Sequence, residues 1–146
     1  MKQRVLADTS VLVAAFVESH PSHTRALPWL QKARGGDIDL LVCGHTLAEL
    51  YAVLTRLPLS PRIRPALARR LVRDNVESIA DIVDLEAADY ATVLDGLAEL
   101  EQTGGVVYDA LIARAARKAD AATLLTLNEK DFRRVWPEGA VRILSP

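Results

Sequence analysis

Asp8, Glu49, Asp109, Asn128 and Asp131 are the residues whose types and places in this chain could do chemistry together. Asp8 directly follows the apolar run Val5-Leu6-Ala7. Glu49 falls in the first turns of a helix read after Leu40-Leu41-Val42-Cys43. Asp109 opens an Ala-rich helix after Gly104-Gly105, and Asn128 and Asp131 follow the apolar stretch from Ala122 to Leu127. The strands of a parallel sheet end on one edge, and ligands bind at that edge. Four separate junctions would therefore send oxygen-bearing side chains to one place. Clustered carboxylates repel one another and raise each other's pKa. A divalent cation removes that repulsion, and Mg²⁺ and Mn²⁺ favour hard oxygen ligands. Such a centre can activate water and stabilise charge on a phosphate under attack. The chemistry that follows is phosphodiester hydrolysis.

Each residue also has a local reading. Asp8 and Asp109 suit helix N-caps. Glu49 suits a first-turn acid, although its neighbours Leu47, Ala48 and Leu50 are apolar. Asn128-Glu129-Lys130-Asp131 reads as a cap followed by first-turn acids. Capping accounts for each residue singly and does not predict that they converge.

The elements that must position them follow from spacing. Val5–Ala7 reads as a strand and Ser10–Val17 as a helix. Pro21–Arg34 has apolar residues at Ala26, Trp29, Leu30 and Ala33, a helical spacing stopped by Gly35-Gly36. Leu40–Cys43 is a second strand. Thr46–Leu57 is a helix ended by Pro58, and Pro61 opens another that runs to about Arg73. Ser78–Leu85 is β-like, Glu86–Glu101 and Tyr108–Ala119 are helical, and Ala122–Leu127 is a strand. A short helix over Glu129–Val135 and a strand over Ala140–Leu144 complete the chain. Strands alternating with helices indicate a three-layer α/β/α sandwich around a central, mostly parallel sheet.

The 146 residues suit one domain, and 50% are hydrophobic, enough for a core without disulfides. Charged residues make up 25%, and 7 Gly and 7 Pro are too few for a low-complexity or collagen-like chain. A net charge of −1 argues against a wholly basic nucleic-acid binder but leaves room for a local basic face. With Cys43 the one cysteine, an internal disulfide is impossible and a reducing, cytoplasmic setting is expected. Asp8 interrupts the apolar N-terminal run, so a signal peptide is not expected, and no uncharged stretch approaches a membrane span.

The stretches Val5-Leu6-Ala7-Asp8-Thr9-Ser10-Val11-Leu12, Thr46-Leu47-Ala48-Glu49-Leu50, Tyr108-Asp109-Ala110-Leu111-Ile112-Ala113 and Leu125-Thr126-Leu127-Asn128-Glu129-Lys130-Asp131-Phe132 occur in this order. In that order and spacing the chain resembles the PIN-domain ribonucleases, specifically the VapC-type toxins of toxin–antitoxin pairs. Each motif alone is weak, but the four together span nearly the whole chain. The resemblance implies a central sheet of about five strands and Mg²⁺- or Mn²⁺-dependent endonuclease activity on RNA. It implies an acidic centre of Asp8, Glu49 and Asp109, with Asp8 and Asp109 as direct metal ligands and Thr9 or Ser10 in support. A cognate VapB-type antitoxin and a homodimer are the partners it implies. One position departs from the pattern. Many family members place an acid near Asn128, whereas here the acid is Asp131, and either residue could fill the fourth position.

From Leu50 to Arg73 there is no Asp or Glu, while Arg56, Arg62, Arg64, Arg69, Arg70 and Arg73 all occur. Arg69, Arg70 and Arg73 are candidates for RNA phosphates, with an antitoxin tail or a solvated face as alternatives. Among the three histidines, His45 stands out because it precedes the Glu49 helix. Trp29 and Trp136 read as core. Two other functions compete. A haloacid-dehalogenase-like phosphatase also begins from an Asp after strand one, but needs a second Asp where Ser10 stands. The other competitor is a non-catalytic binding module of the same fold.

Overall fold

The computed structural model describes residues 1–146. Five strands, β1 (Gln3–Ala7), β2 (Ile38–Cys43), β3 (Asp81–Val83), β4 (Thr123–Leu125) and β5 (Ile143–Leu144), form one sheet in the order β3-β2-β1-β4-β5. All four pairings are parallel, with Val5 opposite both Leu40 and Thr123. The chain builds outward from β1 to β3, then returns to the other side of β1 for β4 and β5. That reversal opens a crevice at the carboxyl ends of β1 and β4, the position where such sheets bind ligands.

β1 is apolar without alternation because both of its faces are covered. Val5 and Ala7 face a core shared with α1 (Thr9–Phe16), α2 (His23–Arg34), α3 (Gly44–Arg56) and α4 (Pro65–Val72). Leu6 faces a second core with α6 (Val106–Lys118) and α7 (Glu129–Val135). α5 (Ala87–Glu99) packs outside α6 through Val93, Leu97, Ala110 and Leu111. These are the three expected layers.

Five boundaries differ from the sequence reading. The helix expected from Pro61 begins at Pro65, since Arg62–Arg64 lead in from the cis Ser60–Pro61 bond and Pro65 takes the first helical turn. After Val72 the chain continues as a wide helical turn over Arg73–Glu77. The β-like stretch at Ser78–Leu85 pairs only over Asp81–Val83. The last strand is short because Pro137–Arg142 form a 3₁₀ turn. The α6 helix begins at Val106, three residues before Asp109, which becomes important at the site.

The 3₁₀ turn delivers β5 to β4 and is fitted around one ring. A Cβ on Gly139 would stand 2.1 Å from Trp136 Cε2, and Trp136 is buried in the second core. Gly139→Ala should therefore cost about 2 kcal/mol, because the buried ring or the turn must shift to admit the methyl group. A thermal melt no more than a degree or two below wild type would show that the turn relaxes freely.

Candidate active site

Asp8 is the first residue after β1 and the N-cap of α1. It is 3% exposed. Its Oδ1 accepts from the Ser10 hydroxyl at 2.6 Å and the Val11 amide at 3.1 Å, and its Oδ2 accepts from the Thr126 hydroxyl at 2.6 Å. Capping and clustering, which the sequence posed as alternatives, are both true of this residue. The Thr126 and Ser10 hydroxyls also accept the Asn128 and Leu127 amides, at 2.9 and 3.1 Å. The loop after β4 is thereby laced to the loop after β1, and the Asp8 amide donates to the Leu125 carbonyl at 3.1 Å.

Asp109 is no cap. It is the fourth residue of α6, whose N-cap is Gly105. Its pKa is raised to about 6, first by burial and then by the charges of Asp8, Asp131 and Glu49. That mutual repulsion shows that the helix places the four carboxylates in one field. Burial also pushes up the Asp8 carboxyl, against the pull of its donors, and the Glu49 carboxyl, against the His45 imidazole beside it. Asp131, in the first turn of α7, faces Asp109, whereas Asn128 is exposed and its side chain caps nothing. Of the two residues left open for the fourth position, the structure thus brings Asp131 to the acids.

Several polar atoms here have no partner. Glu49 Oε1 and Thr9 Oγ1 are buried without a hydrogen bond. His45 Nε2 lies 3.4 Å from Glu49 Oε1, but too poorly aligned to bond. As the side chains lie, no three carboxylates or imidazoles close around a single point. Hard oxygens, uncompensated negative charge and orphaned buried acceptors nevertheless form the donor set that suits a hard divalent cation.

The predicted arginines do not reach this cluster together. Arg69 is held by Glu77, Nη1 to Oε2 at 2.9 Å, while Arg56, Arg62, Arg64, Arg70 and Arg73 are exposed. Trp136 is buried in the second core, and Trp29 packs, partly buried, against the first. Sequence reasoning gave no role to Thr126 or Tyr108. The Tyr108 ring stacks on His45, with centroids 5.1 Å apart and planes 3° apart. A hydroxyl at the end of β4, directly across from Asp8, was the available signal for Thr126.

Residues 5–136 match the PIN domain family model. Ribonuclease VapC27 of Mycobacterium tuberculosis H37Rv is 38% identical over 125 residues, covering 84% of this chain and 85% of that one. Ribonuclease VapC40 of the same species is 38% identical over 139 residues, 95% of each chain. The solved structure of VapBC2 from Rickettsia felis, bound to a promoter DNA fragment, aligns with a TM-score of 0.64 at 20% identity over 98% of each chain. The chain belongs to the PIN-domain family. Within it, the relatives at 38% identity are VapC ribonucleases.

The raised carboxyls set a pH dependence. Between roughly pH 4 and 6 the folded protein holds a proton on Asp109 that the unfolded chain has lost, so stability falls as pH rises through that window. Asp109→Asn should flatten the slope and add about 1 kcal/mol at pH 7.5 without metal, allowing for the residue's partial exposure. Urea melts at pH 5 and 7.5 in EDTA measure it. A variant less stable than wild type at pH 7.5 would show that Asp109 is compensated in the fold.

Proposed function

We propose that the protein is a metal-dependent endoribonuclease of the VapC type, acting as one PIN domain over residues 1–146. The observation that carries this is that Asp8, Glu49, Asp109 and Asp131 share one electrostatic field at the β1–β4 crevice, with no lysine or arginine ion-paired to any of them. Kinship at 38% identity with ribonucleases named VapC27 and VapC40 supports RNA as substrate and a VapB-type antitoxin as partner. A phosphatase of the haloacid-dehalogenase kind is disfavoured by family and by Ser10, whose hydroxyl is spent on Asp8. Exposed Tyr51 and Val53 on α3, and Tyr90 and Leu94 on α5, support a homodimer. No helix is long and apolar enough to cross a membrane.

In this reading Asp8, Glu49, Asp109 and Asp131 would hold Mg²⁺ or Mn²⁺. When bound, such an ion supplies positive charge to the phosphate and lowers the pKa of an attacking water. The chain's own residues do the rest. Ser10, Val11 and Thr126 fix both oxygens of Asp8, so its orientation is set before substrate arrives. Thr9 and Asn128 stand at the margin, Thr9 with a free hydroxyl and Asn128 with an exposed amide. Glu49 lies beside His45, with its Oε1 left unbonded for a cation to engage.

Purified protein should cut RNA with Mn²⁺ or Mg²⁺ and stop in EDTA. Asp109→Asn should fold and lose at least about 100-fold in rate, and Asp131→Ala should lose more than Asn128→Ala. RNA binding without cleavage under any divalent ion would favour the non-catalytic module. Full cleavage in excess chelator would remove the metal from the mechanism.

The arginines are tested on the cleavage-deficient Asp109→Asn background. Arg70→Ala and Arg73→Ala should each weaken RNA binding and reduce the salt slope by about one. Arg69→Ala should do less, because Glu77 already engages that guanidinium. Equal salt slopes for all three variants and the parent would make this segment a solvated face.

A further inference from the structure

One feature of the acidic pocket's rim is not used by the metal chemistry. Tyr108 and His45 form the one stacked ring pair in the chain, with planes 3° apart. Tyr108 stands beside Asp109 in the first turn of α6, and His45 stands one turn before Glu49 in α3. The stack therefore joins the two helices that carry these acids. One face of the Tyr108 ring is covered by His45, yet the residue is still 49% exposed. The stack beneath restricts its rotamer freedom, so part of the ordering cost of presenting its open surface is met before anything binds.

The charge around it decides what such a surface is for. Four carboxylates repel a phosphodiester, and the nearest arginine along α3, Arg56, lies seven residues beyond Glu49, roughly 10 Å down the helix axis. A bound cation and more distant basic side chains can attract the phosphate, but at the rim itself a nucleotide can add affinity through a neutral contact with its base. Every nucleobase presents a π-face to an aromatic ring, and that contact tolerates any sequence. We propose that Tyr108, backed by His45, is the platform on which the nucleobase next to the scissile phosphate stacks. It is a positioning residue that seats the phosphate over the acidic centre. The proposal rests on the endoribonuclease reading.

The test uses the full chain with Mn²⁺ and a short RNA whose cleavage site has been mapped. Abasic nucleotides are placed in turn at the two positions on each side of the cut. Wild type should show one position where base removal raises KM roughly 5- to 100-fold. Tyr108→Leu should raise KM on the intact RNA to a similar degree and erase the abasic penalty. Tyr108→Phe, which keeps the ring, should restore the penalty. The platform is overturned if no position carries a penalty in wild type, or if Tyr108→Leu leaves that penalty intact. It is also overturned if Tyr108→Leu lowers kcat equally on intact and abasic RNA and weakens Mn²⁺ binding, since the stack would then only brace Glu49. Wild type that cuts no RNA with Mn²⁺ fails the endoribonuclease reading itself, a different result from normal cutting without an abasic penalty.

Discussion

The buried carboxylate of Asp8 is the constraint on which the site depends. A charge removed from water at the end of the central strand is costly unless donors surround it. Here two hydroxyls and an amide do so, and they come from both sides of the crevice. Satisfying Asp8 therefore ties the β1–α1 turn to the β4–α7 loop, which leads into the helix that carries Asp131. The bonds that make one acid tolerable also set where another acid lies. Thr126 has a double duty in this arrangement, donating to Asp8 and accepting from the Asn128 amide.

α6 shows how the protein treats charge differently at its two ends. Near its C-terminus Arg114 and Lys118 reach Asp89 of α5 at 2.9 and 2.8 Å. Lys118 and the Glu86 amide hold that carboxyl well below the usual range, and Asp89 in turn completes the cap of α5. The interaction clamps α5 to α6. At the N-terminal end Asp109 has acids for neighbours and no cation, so its carboxyl is pushed up. A fold that can pair a buried carboxylate with two cations at one end, and leaves four carboxylates without a lysine or arginine partner at the other, carries a standing electrostatic cost. Sites that retain such a cost are where function is concentrated.

Much of this was legible in the chain. The continuous apolar runs Val5–Ala7 and Leu40–Cys43 mark strands covered on both faces, and acids at their ends point to a carboxyl-edge site. Asp8 and Glu49 were identifiable on that basis, whereas Asp109, expected at a further strand-to-helix junction, lies in α6, which follows helix α5 rather than a strand. Arg69 was not, because its partner Glu77 lies beyond Arg73, outside the acid-free segment that drew attention to it. The last strand was overextended because nothing in Ala140–Leu144 signals that Gly139 must curl under the Trp136 ring.

By itself the sequence determined the order of the elements, the apolar faces that stack into three layers and the residues able to bear charge at the strand ends. These follow from local periodicity and chain order, which need no partner. Only the tertiary structure decided which acid joins the cluster. Asn128 is the N-cap of α7 and Asp131 stands in its first turn, and the bond from the Asn128 amide to the Thr126 hydroxyl anchors that end so that Asp131 acts on Asp109 while Asn128 is exposed. The Tyr108–His45 stack and the charge on Asp109 are likewise properties of neighbours brought together from distant parts of the chain. Distances and shared fields of this kind are absent from local sequence, because they arise only when separate helices are docked on one sheet.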